Sequence, residues 1–564
     1  MTFFITKINT IREALNSLEY SSEILSYPDV SSFLPSSNNK IDTFSTASVS
    51  EVSKIIKNSS KASCSLDPLP SSLVAQFLPH LAPIITEIVN KSLSSGIFPS
   101  SLKSAIVQPL IKKATLDPEI FKNYRPVSNL PFISKVIEKV IAARLLDHMQ
   151  ENNLLDPMQS AYEKSHSTET ALLRIHNDIV CSVDKGKGVF LILLDLSAAF
   201  DTIDHHILLS FLENHIGLHG NVLNLFRSYL TGRTQCVSVN GVLSELKELA
   251  FGVPQGSVLG PIEFCTYTLP LGAIIRFHKL EYHIYADDTQ LYFSFDLKNP
   301  SQSLDTICAC ASDIRSWMIK NKLKINDDKT EFLVITSPHA KIDQDFHFSI
   351  GQSSISPSES CKSLGVMFDS HIDMERQIQN ICRSAYFQLR SIGSVRHLLP
   401  DAAAAQLVHA LITSRLDYCN SLLYGIPDCK MNRLQRLQNI AARIVARCPK
   451  SAHITPVLYD LHWLPVKMRI LFKILLLTYR CVHGTAPVYL SELIIPYKQN
   501  RSLRSSSKLL LSVPRSRLKT YGDRSFSVCA PTEWNKLPGD IRDMPTLASF
   551  KSRLKTYLFK QYYE

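Results

Sequence analysis

The feature that most limits the possible folds of this 564-residue chain is a short apolar run that ends in an acid. Phe190-Leu-Ile-Leu-Leu194 is followed directly by Asp195. A continuous apolar run of this length is typical of a strand that is buried on both faces. Such a strand presents the Asp195 carboxylate at its tip. The run therefore predicts a sheet covered on both sides, with an acid at one edge.

Two further β-patterns lie later in the chain. Residues 283–285 and 289–295 flank Ala286-Asp287-Asp288, which predicts a hairpin with two acids in its turn. Residues 332–335 predict another strand, and they follow a helix with one apolar stripe, formed by Leu304, Ile307, Ala311, Ile314 and Met318. Helical and β-patterns alternate to about residue 370 and become helical afterwards. This order predicts an α+β fold with a mainly helical C-terminal part.

The charge of the chain is unevenly distributed. The net charge is +11, but residues 373–564 hold 29 Lys and Arg against 12 Asp and Glu, and residues 1–372 hold 32 against 38. A basic excess attracts phosphates in a salt-sensitive way, so the C-terminal part is either a polyanion-binding region or a solvated basic surface. A helix predicted around Leu434 and Leu437 favours the first reading, because four arginines lie beside its apolar stripe: Arg433, Arg436, Arg443 and Arg447.

Other classes of protein fit the sequence poorly. The thirteen cysteines include no Cys-x-x-Cys pair, which argues against a zinc knuckle and a disulfide framework. The N-terminus lacks a secretory signal, and the apolar run at residues 470–478 is interrupted by Lys473 and is too short to span a bilayer. A soluble, intracellular protein without a membrane partner is predicted.

Asp195, Asp287 and Asp288 have the chemistry of a two-metal site. Extending a nucleic acid requires a 3′-hydroxyl to attack an α-phosphate, and two divalent ions about 3.5–4 Å apart hold the attacking and leaving oxygens. Mg²⁺ prefers carboxylate oxygens, so acids from separate rigid segments must converge. Two acids in a turn are ordinary by themselves, because Asp favours turns for its own backbone reasons. The neighbouring motifs therefore decide the interpretation.

Three motifs occur in a fixed order. They are Asp195-Leu-Ser-Ala-Ala-Phe200-Asp201, Val253-Pro-Gln255-Gly256-Ser257-Val-Leu-Gly260-Pro261 and Tyr285-Ala-Asp287-Asp288. Together they resemble the core palm motifs of reverse transcriptases. Residues 123–131, 166–170, 323–330 and 363–369 resemble the flanking motifs of non-LTR (LINE-type) retrotransposons, and residues 414–420, 454–465 and 517–523 are similar to the C-terminal region of the chicken-repeat and jockey-like branch.

The resemblance implies a right-hand polymerase. Its regions would be a flexible N-terminal lead-in at 1–49, fingers and palm at 50–372, a helical thumb at 373–450 and a basic nucleic-acid-binding domain at 451–564. Asp195, Asp287 and Asp288 would ligate two Mg²⁺ or Mn²⁺ ions, and Lys329 would protonate the leaving pyrophosphate. The resemblance also implies a dNTP-binding set and a primer grip, formed respectively by Arg125, Phe200, Gln255 and Gly256, and by Leu364 and Gly365.

The activity implied is an RNA-directed DNA polymerase that works in the nucleus and cytoplasm. Its partners would be an RNA template, a DNA primer or nicked target DNA, and dNTPs. No room exists before residue 50 for the family's endonuclease, so the nick would be supplied separately. The chain departs from the family at Glu163, where a basic residue is usual. That departure supports an alternative, an inactive nucleic-acid-binding remnant, and a DNA-templated polymerase is a third possibility.

Overall fold

The computed structural model describes residues 1–19, 27, 29–60, 64–340, 345–497 and 509–564. Up to residue 300 the helices and strands are, in chain order, α1 (Thr2–Glu19), α2 (Val49–Lys57), α3 (Ser71–Gln76), α4 (Leu78–Ser95), β1 (Ser104–Ile111), β2 (Tyr124–Asn129), α5 (Phe132–Glu151), α6 (Thr168–Asp184), β3 (Gly188–Leu194), α7 (His205–Phe211), α8 (Gly220–Leu230), β4 (Thr234–Val239), β5 (Val242–Leu243), β6 (Lys247–Glu248), α9 (Leu259–Tyr267), α10 (Leu269–Phe277), β7 (Glu281–Tyr285) and β8 (Asp288–Phe295).

The rest of the chain is richer in helix. Its elements are α11 (Ser301–Lys320), β9 (Glu331–Ile335), β10 (Phe348–Ile350), β11 (Ser353–Ile355), β12 (Ser360–Ser363), β13 (Val366–Asp369), α12 (Glu375–Val395), α13 (Asp401–Val408), α14 (Ser414–Asp417), α15 (Asp428–Ala446), α16 (Ile454–Asp460), α17 (Val466–Val482), α18 (Val488–Ser491), α19 (Phe526–Lys536), α20 (Gly539–Arg542) and α21 (Leu547–Tyr563). The predicted α+β class and the helical C-terminal part are confirmed. No described helix is long and apolar enough to cross a membrane.

The described residues divide into two compact units, each assembled from separate stretches of chain. The first unit contains Met1–Tyr162, Leu194–Leu280 and Cys308–Lys329. The second contains Glu163–Leu193, Glu281–Ile307 and Thr330–Glu564. The boundaries predicted at residues 50, 373 and 451 are not boundaries between these units, and they stay predictions of functional regions.

The central sheet of the second unit has the strand order β7-β8-β3-β9. β3 pairs with β9 in antiparallel register, with Val189 opposite Ile335 and Leu193 opposite Glu331. Phe190 is buried and stacks on Phe295 with 4.1 Å between ring centroids. The apolar run before Asp195 is therefore a buried interior strand, as predicted, and the strands predicted at residues 283–285, 289–295 and 332–335 are also confirmed.

The first unit holds a second sheet, in the order β2-β1-β4-β5 with β6 beside β4. β1 is antiparallel to β2 and parallel to β4. α5 packs against α4 and α9. Its buried residues are spread round the helix rather than along one stripe, which is typical of a helix covered on more than one side.

The predicted flexible lead-in at residues 1–49 begins with an ordered helix, α1. Its Ile11 and Leu15 are buried in a cluster with Ile319. Arg12 donates a hydrogen bond from Nη2 to Oδ2 of Asp204 at 2.6 Å, and its guanidinium lies 3.7 Å from the centroid of the Phe251 ring. The description as flexible was therefore wrong for α1, because its partners are distant in sequence. Residues 20–26 and 28 of the lead-in lie outside the described residues.

Candidate functional site

The hairpin of β7 and β8 places two acids at its turn. Tyr285 pairs with Asp288, so Ala286 and Asp287 form a two-residue loop. Ala286 has a φ of +56°, the left-handed conformation that tight hairpin loops require at their first central residue. The turn predicted from the sequence is therefore formed, with Asp287 at its tip and Asp288 as the first residue of β8.

The same edge of the sheet is the one where β3 ends. β3 is a neighbour of β8, and the side chain of Phe190 near the start of β3 stacks on Phe295 at the end of β8. The two strands are therefore antiparallel, and within the second unit β3 runs toward the edge of the sheet at which β8 begins. In the sequence, Asp195 directly follows the last residue of β3.

In the first unit, Asp195 is held by the segment that contains Lys329. The Asn326 N–H donates to the Asp195 carbonyl at 2.8 Å, and Leu196 forms an antiparallel bridge with Ile325. Oδ2 of Asp195 accepts hydrogen bonds from Lys329 Nζ at 2.8 Å and from Asn326 Nδ2 at 3.3 Å. Two predicted catalytic residues are thus in direct contact. Asn326 lies within the flanking motif at residues 323–330 but was not predicted as a site residue.

Further cations surround Asp195 in the first unit. Burial lowers the pKa of Lys112, and the positive charges of Lys7, Lys329 and Arg125 lower it further, whereas Asp195 opposes them. Arg125 is exposed on β2 opposite Leu110 of β1. This grouping of positive charge suits an anionic ligand such as a polyphosphate. Lys7 and Lys112 were not predicted as site residues, because neither lies in a motif that carries the resemblance to reverse transcriptases.

The segments that contain Phe200 and Gln255 are hydrogen-bonded to each other in the first unit. The Phe200 ring stacks on Phe264 at 4.6 Å, and its carbonyl accepts a hydrogen bond from the Val253 N–H at 2.9 Å. Nε2 of Gln255 donates to Oδ1 of Asp201 at 2.8 Å. Burial raises the pKa of Asp201 to about 6, although the Gln255 hydrogen bond and the charge of Lys7 act to lower it.

Gly256 is required by the backbone that it contacts. Its φ is +124°, and an added Cβ would lie 2.5 Å from the carbonyl oxygen of Ser128 in β2. The Ser128 N–H donates to the Gln255 carbonyl at 2.7 Å. A side chain is therefore excluded by strand β2 and by the backbone conformation.

A small cavity separates α1 from these residues. Asp201 and Gln255 line one part of it, and Phe3, Phe4 and Lys7 of α1 line another. Its volume of about 40 Å³ has room for roughly three water molecules at 10–15 Å³ each. Helix α1 thus lies against side chains that the sequence assigned to nucleotide binding.

Leu364 and Gly365, the predicted primer grip, form the turn between β12 and β13. Ser363 pairs with Val366, and both turn residues have positive φ, +44° and +86°. The Tyr418 hydroxyl donates to the Leu364 carbonyl at 2.6 Å, and the Tyr418 ring lies beside Gly365. Within the second unit, the structure therefore joins this turn to a C-terminal motif that carried no predicted site residue.

The four arginines near α15 are not equivalent. Arg433 forms an ion pair with Glu375 at 2.6 Å, and Arg447 forms one with Asp401 at 3.3 Å. Arg443 donates to the Ala452 carbonyl at 3.2 Å, whereas Arg436 is exposed. The acids that pair with Arg433 and Arg447 lie outside α15, so its own sequence does not show them.

Two other observations bear on the predicted site. Burial raises the pKa of Glu163, which favours the neutral form of this carboxyl. Among the residues that the structure describes, no group of three or more His, Cys, Asp or Glu side chains is arranged as a metal site. The carboxylates of Asp195, Asp287 and Asp288 nevertheless offer the oxygen ligands that Mg²⁺ and Mn²⁺ prefer.

Comparison with known families defines the class. Residues 111–368 match the family described as reverse transcriptase (RNA-dependent DNA polymerase). The matched range includes the buried strand β3, the hairpin with Asp287 and Asp288, and the loop with Gln255 and Gly256. This part of the chain therefore matches a reverse transcriptase domain, which bears out the class that the motifs indicated.

The similar curated proteins belong to transposons. The chain is 26% identical over 373 residues to a probable RNA-directed DNA polymerase from transposon X-element of Drosophila melanogaster, and the match covers 64% of the chain and 40% of that relative. Identity and coverage are the same for the RNA-directed DNA polymerase from mobile element jockey of Drosophila funebris. The chain spans about 40% of the length of these relatives. Their names confirm the resemblance to jockey-like elements.

Proposed function

We propose that the chain is an RNA-directed DNA polymerase of a non-LTR retrotransposon, which adds dNTPs to a DNA 3′-hydroxyl on an RNA template. The observation that carries the proposal is the edge of the central sheet of the second unit at which the acidic turn at Asp287 leads into β8. In the sequence, Asp195 directly follows the last residue of β3, the strand beside β8. Rigid strands that end at one edge provide the pre-organised carboxylates that a metal-dependent polymerase needs.

Asp195, Asp287 and Asp288 would hold two Mg²⁺ or Mn²⁺ ions. The ions would supply charge stabilisation for the attacking and leaving oxygens. Asp195 now accepts a hydrogen bond from Lys329 at 2.8 Å, so the ammonium group acts as its counter-charge. Lys329 would donate the proton to the leaving pyrophosphate.

The other predicted residues would orient the nucleotide. Arg125 would hold the triphosphate, because a guanidinium pairs with phosphate in a bidentate way. Phe200, fixed by its stack on Phe264, would lie under the sugar and exclude a 2′-hydroxyl. Gln255 and Gly256 would border the base and sugar. The primer end would rest on Leu364 and Gly365.

The basic C-terminal part would bind the template RNA and the primer or nicked target DNA. Exposed Arg436 would contribute a phosphate contact directly. Arg433, Arg443 and Arg447 would contribute mainly by stabilising the fold through the protein contacts described above. The enzyme would act in the nucleus and cytoplasm, where it meets RNA and chromosomal DNA.

Primer extension tests the proposal. The purified chain is expected to extend oligo(dT) on poly(rA) with dTTP in the presence of Mg²⁺, and Asp287→Ala is expected to abolish the product. Asp296→Asn is the matched control, because Asp296 is an exposed acid just beyond β8 whose side chain accepts a local hydrogen bond from the Lys298 N–H. Absence of Mg²⁺- or Mn²⁺-dependent DNA product from the parent would refute the proposal.

The alternative is a nucleic-acid-binding remnant without activity. Glu163, an acid where the family usually has a base, favours it. A gel-shift measurement with labelled RNA distinguishes the two, since a remnant binds RNA and makes no product. Competition between matched RNA and DNA templates separates a reverse transcriptase from a DNA-templated polymerase.

A further inference from the structure

Glu138 is a buried acid on α5 to which the sequence motifs assign no role. Its side chain has no solvent exposure. Oε1 accepts a hydrogen bond from the Ser134 hydroxyl at 2.9 Å. Oε2 accepts from the Val258 N–H at 2.6 Å and the Leu259 N–H at 3.2 Å. The carboxylate therefore receives backbone donors from another part of the first unit, about 120 residues away in sequence.

These two donors belong to the start of α9. The first amides of a helix have no partner within the helix, and an anion is stabilised there. α9 has no side-chain cap from Val258, the residue that precedes it. Glu138 supplies the missing acceptor from another helix. Its contact therefore fixes the position at which α9 begins.

The start of α9 is also the end of the loop that contains Gln255 and Gly256. On the other side of this loop, Ser128 of β2 donates to the Gln255 carbonyl. The Ser257 hydroxyl donates to the Pro254 carbonyl at 2.9 Å and accepts from the Gly260 N–H at 3.0 Å. The loop is therefore held by β2 on one side and by Glu138 at its junction with α9.

The surroundings of Glu138 contain a charge of the opposite sign. Arg233 is 1% exposed, and its guanidinium lies 4.1 Å from the centroid of the Tyr229 ring. The Tyr229 hydroxyl also donates to Oε2 of Glu138, at 3.3 Å. Glu263, the other acid of this cluster, is completely buried, and burial favours its neutral form. Glu138 thus lies in a buried cluster that also contains a guanidinium and the neutral carboxyl of Glu263.

We propose that Glu138 is a positioning residue for the incoming nucleotide. By binding the first amides of α9, it sets the place of Gln255 and Gly256 against β2. The proposal rests on the proposed function, in which this loop borders the dNTP. Glu138 does not touch the substrate and acts only through the loop.

Kinetics of the full chain test the proposal. Glu138→Ala is expected to raise the KM for dTTP on the order of tenfold, since small displacements of a positioning group cost about this much or more. The kcat is expected to change by less than about threefold, because the metal-binding acids are untouched. Glu138→Gln is expected to restore KM largely, since its amide oxygen still accepts the two N–H groups. Tyr229→Phe, which removes only the 3.3 Å contact, is the matched control.

Hydrogen exchange separates a local contact from general damage. The Val258 and Leu259 amides are expected to exchange faster in Glu138→Ala and slowly in Glu138→Gln. An unchanged KM despite faster exchange would overturn the proposal, and so would an equal KM increase in Tyr229→Phe. A parent without polymerase activity would refute the proposed function instead. In that case calorimetric titration with Mg²⁺-dTTP decides, and equal affinity of parent and Glu138→Ala would overturn the positioning role.

Discussion

Glu263 on α9 is expected to make the stability of the protein depend on pH above the normal range of a glutamate. Its side chain is completely buried, and neither carboxylate oxygen has a hydrogen-bond partner among the described residues. Burial raises its pKa from the usual 4.5 to about 8, with nearby Glu138 acting in the same direction and Arg233 opposing it. The folded protein therefore holds a proton at Glu263 that the unfolded chain releases.

The size of the effect follows from the pKa difference. Below pH 4.5 the carboxyl is neutral in both states, and its contribution to stability is fully present. Between pH 4.5 and about 8 the unfolded state alone ionises, so the free energy of unfolding falls by about 1.4 kcal/mol per pH unit. The total loss is roughly 5 kcal/mol, of which about 3 kcal/mol has occurred by pH 7. Glu263→Gln cannot ionise and is expected to avoid this loss.

Thermal unfolding between pH 5 and pH 9 measures the difference. The melting temperatures of the parent and Glu263→Gln are expected to differ least at pH 5 and to diverge progressively up to pH 8. The change of this difference in melting temperature with pH tests the prediction, because the introduced amide shifts the melting temperature by the same amount at every pH. Glu245→Gln, at an exposed acid of the same unit, is the control and is expected to follow the parent. A difference that stays constant across the pH range would refute the reasoning.

Three further results are expected. Phe200→Val is expected to increase incorporation of rGTP relative to dGTP in primer extension by at least about tenfold and, because its stack on Phe264 is lost, to lower the free energy of unfolding by about 1–3 kcal/mol; unchanged selectivity would argue against a role under the sugar. Arg12→Ala is expected to weaken the docking of α1 by about 2 kcal/mol, because a largely buried ion pair and a cation–π contact are lost. The variant is therefore expected to be cleaved faster within α1 in limited proteolysis monitored by mass spectrometry. An unchanged cleavage rate would contradict the docking. Arg436→Ala is expected to reduce the slope of log affinity for RNA against log salt concentration by about one. Arg433→Ala is expected instead to lower thermal stability with little change in that slope. Equal slopes for both variants would contradict the distinction between the two arginines.

The central sheet was predictable because its signals are local. The apolar run before Asp195 and the turn residues around Asp287 lie within a few positions of the features that they predict. Each element therefore follows from its own residues. The order of the motifs along the chain indicated the class of enzyme, which the family match confirms.

The contacts that hold the site together were not predictable in the same way. Arg12 pairs with Asp204, which is 192 residues away in sequence, and Glu138 receives an amide hydrogen from Val258, which is 120 residues away. Neither Asp204 nor Glu138 is marked by a periodic pattern. An acidic residue in the sequence does not show which distant segment its carboxylate will contact. For the same reason, the ion pair between Arg433 on α15 and Glu375 on α12 could not be predicted from the sequence of α15.

The interleaving of the two units has a consequence for synthesis of the chain. β3 pairs with β9, yet about 140 residues separate the two strands. At roughly 5–20 residues per second, the ribosome makes β9 about 7–30 s after β3. During that interval the apolar strand β3 lacks its neighbour on one side, and such segments are prone to aggregate. Chains that stop before residue 331 retain this unpaired edge permanently, so truncated expression products are expected to require chaperones or to precipitate.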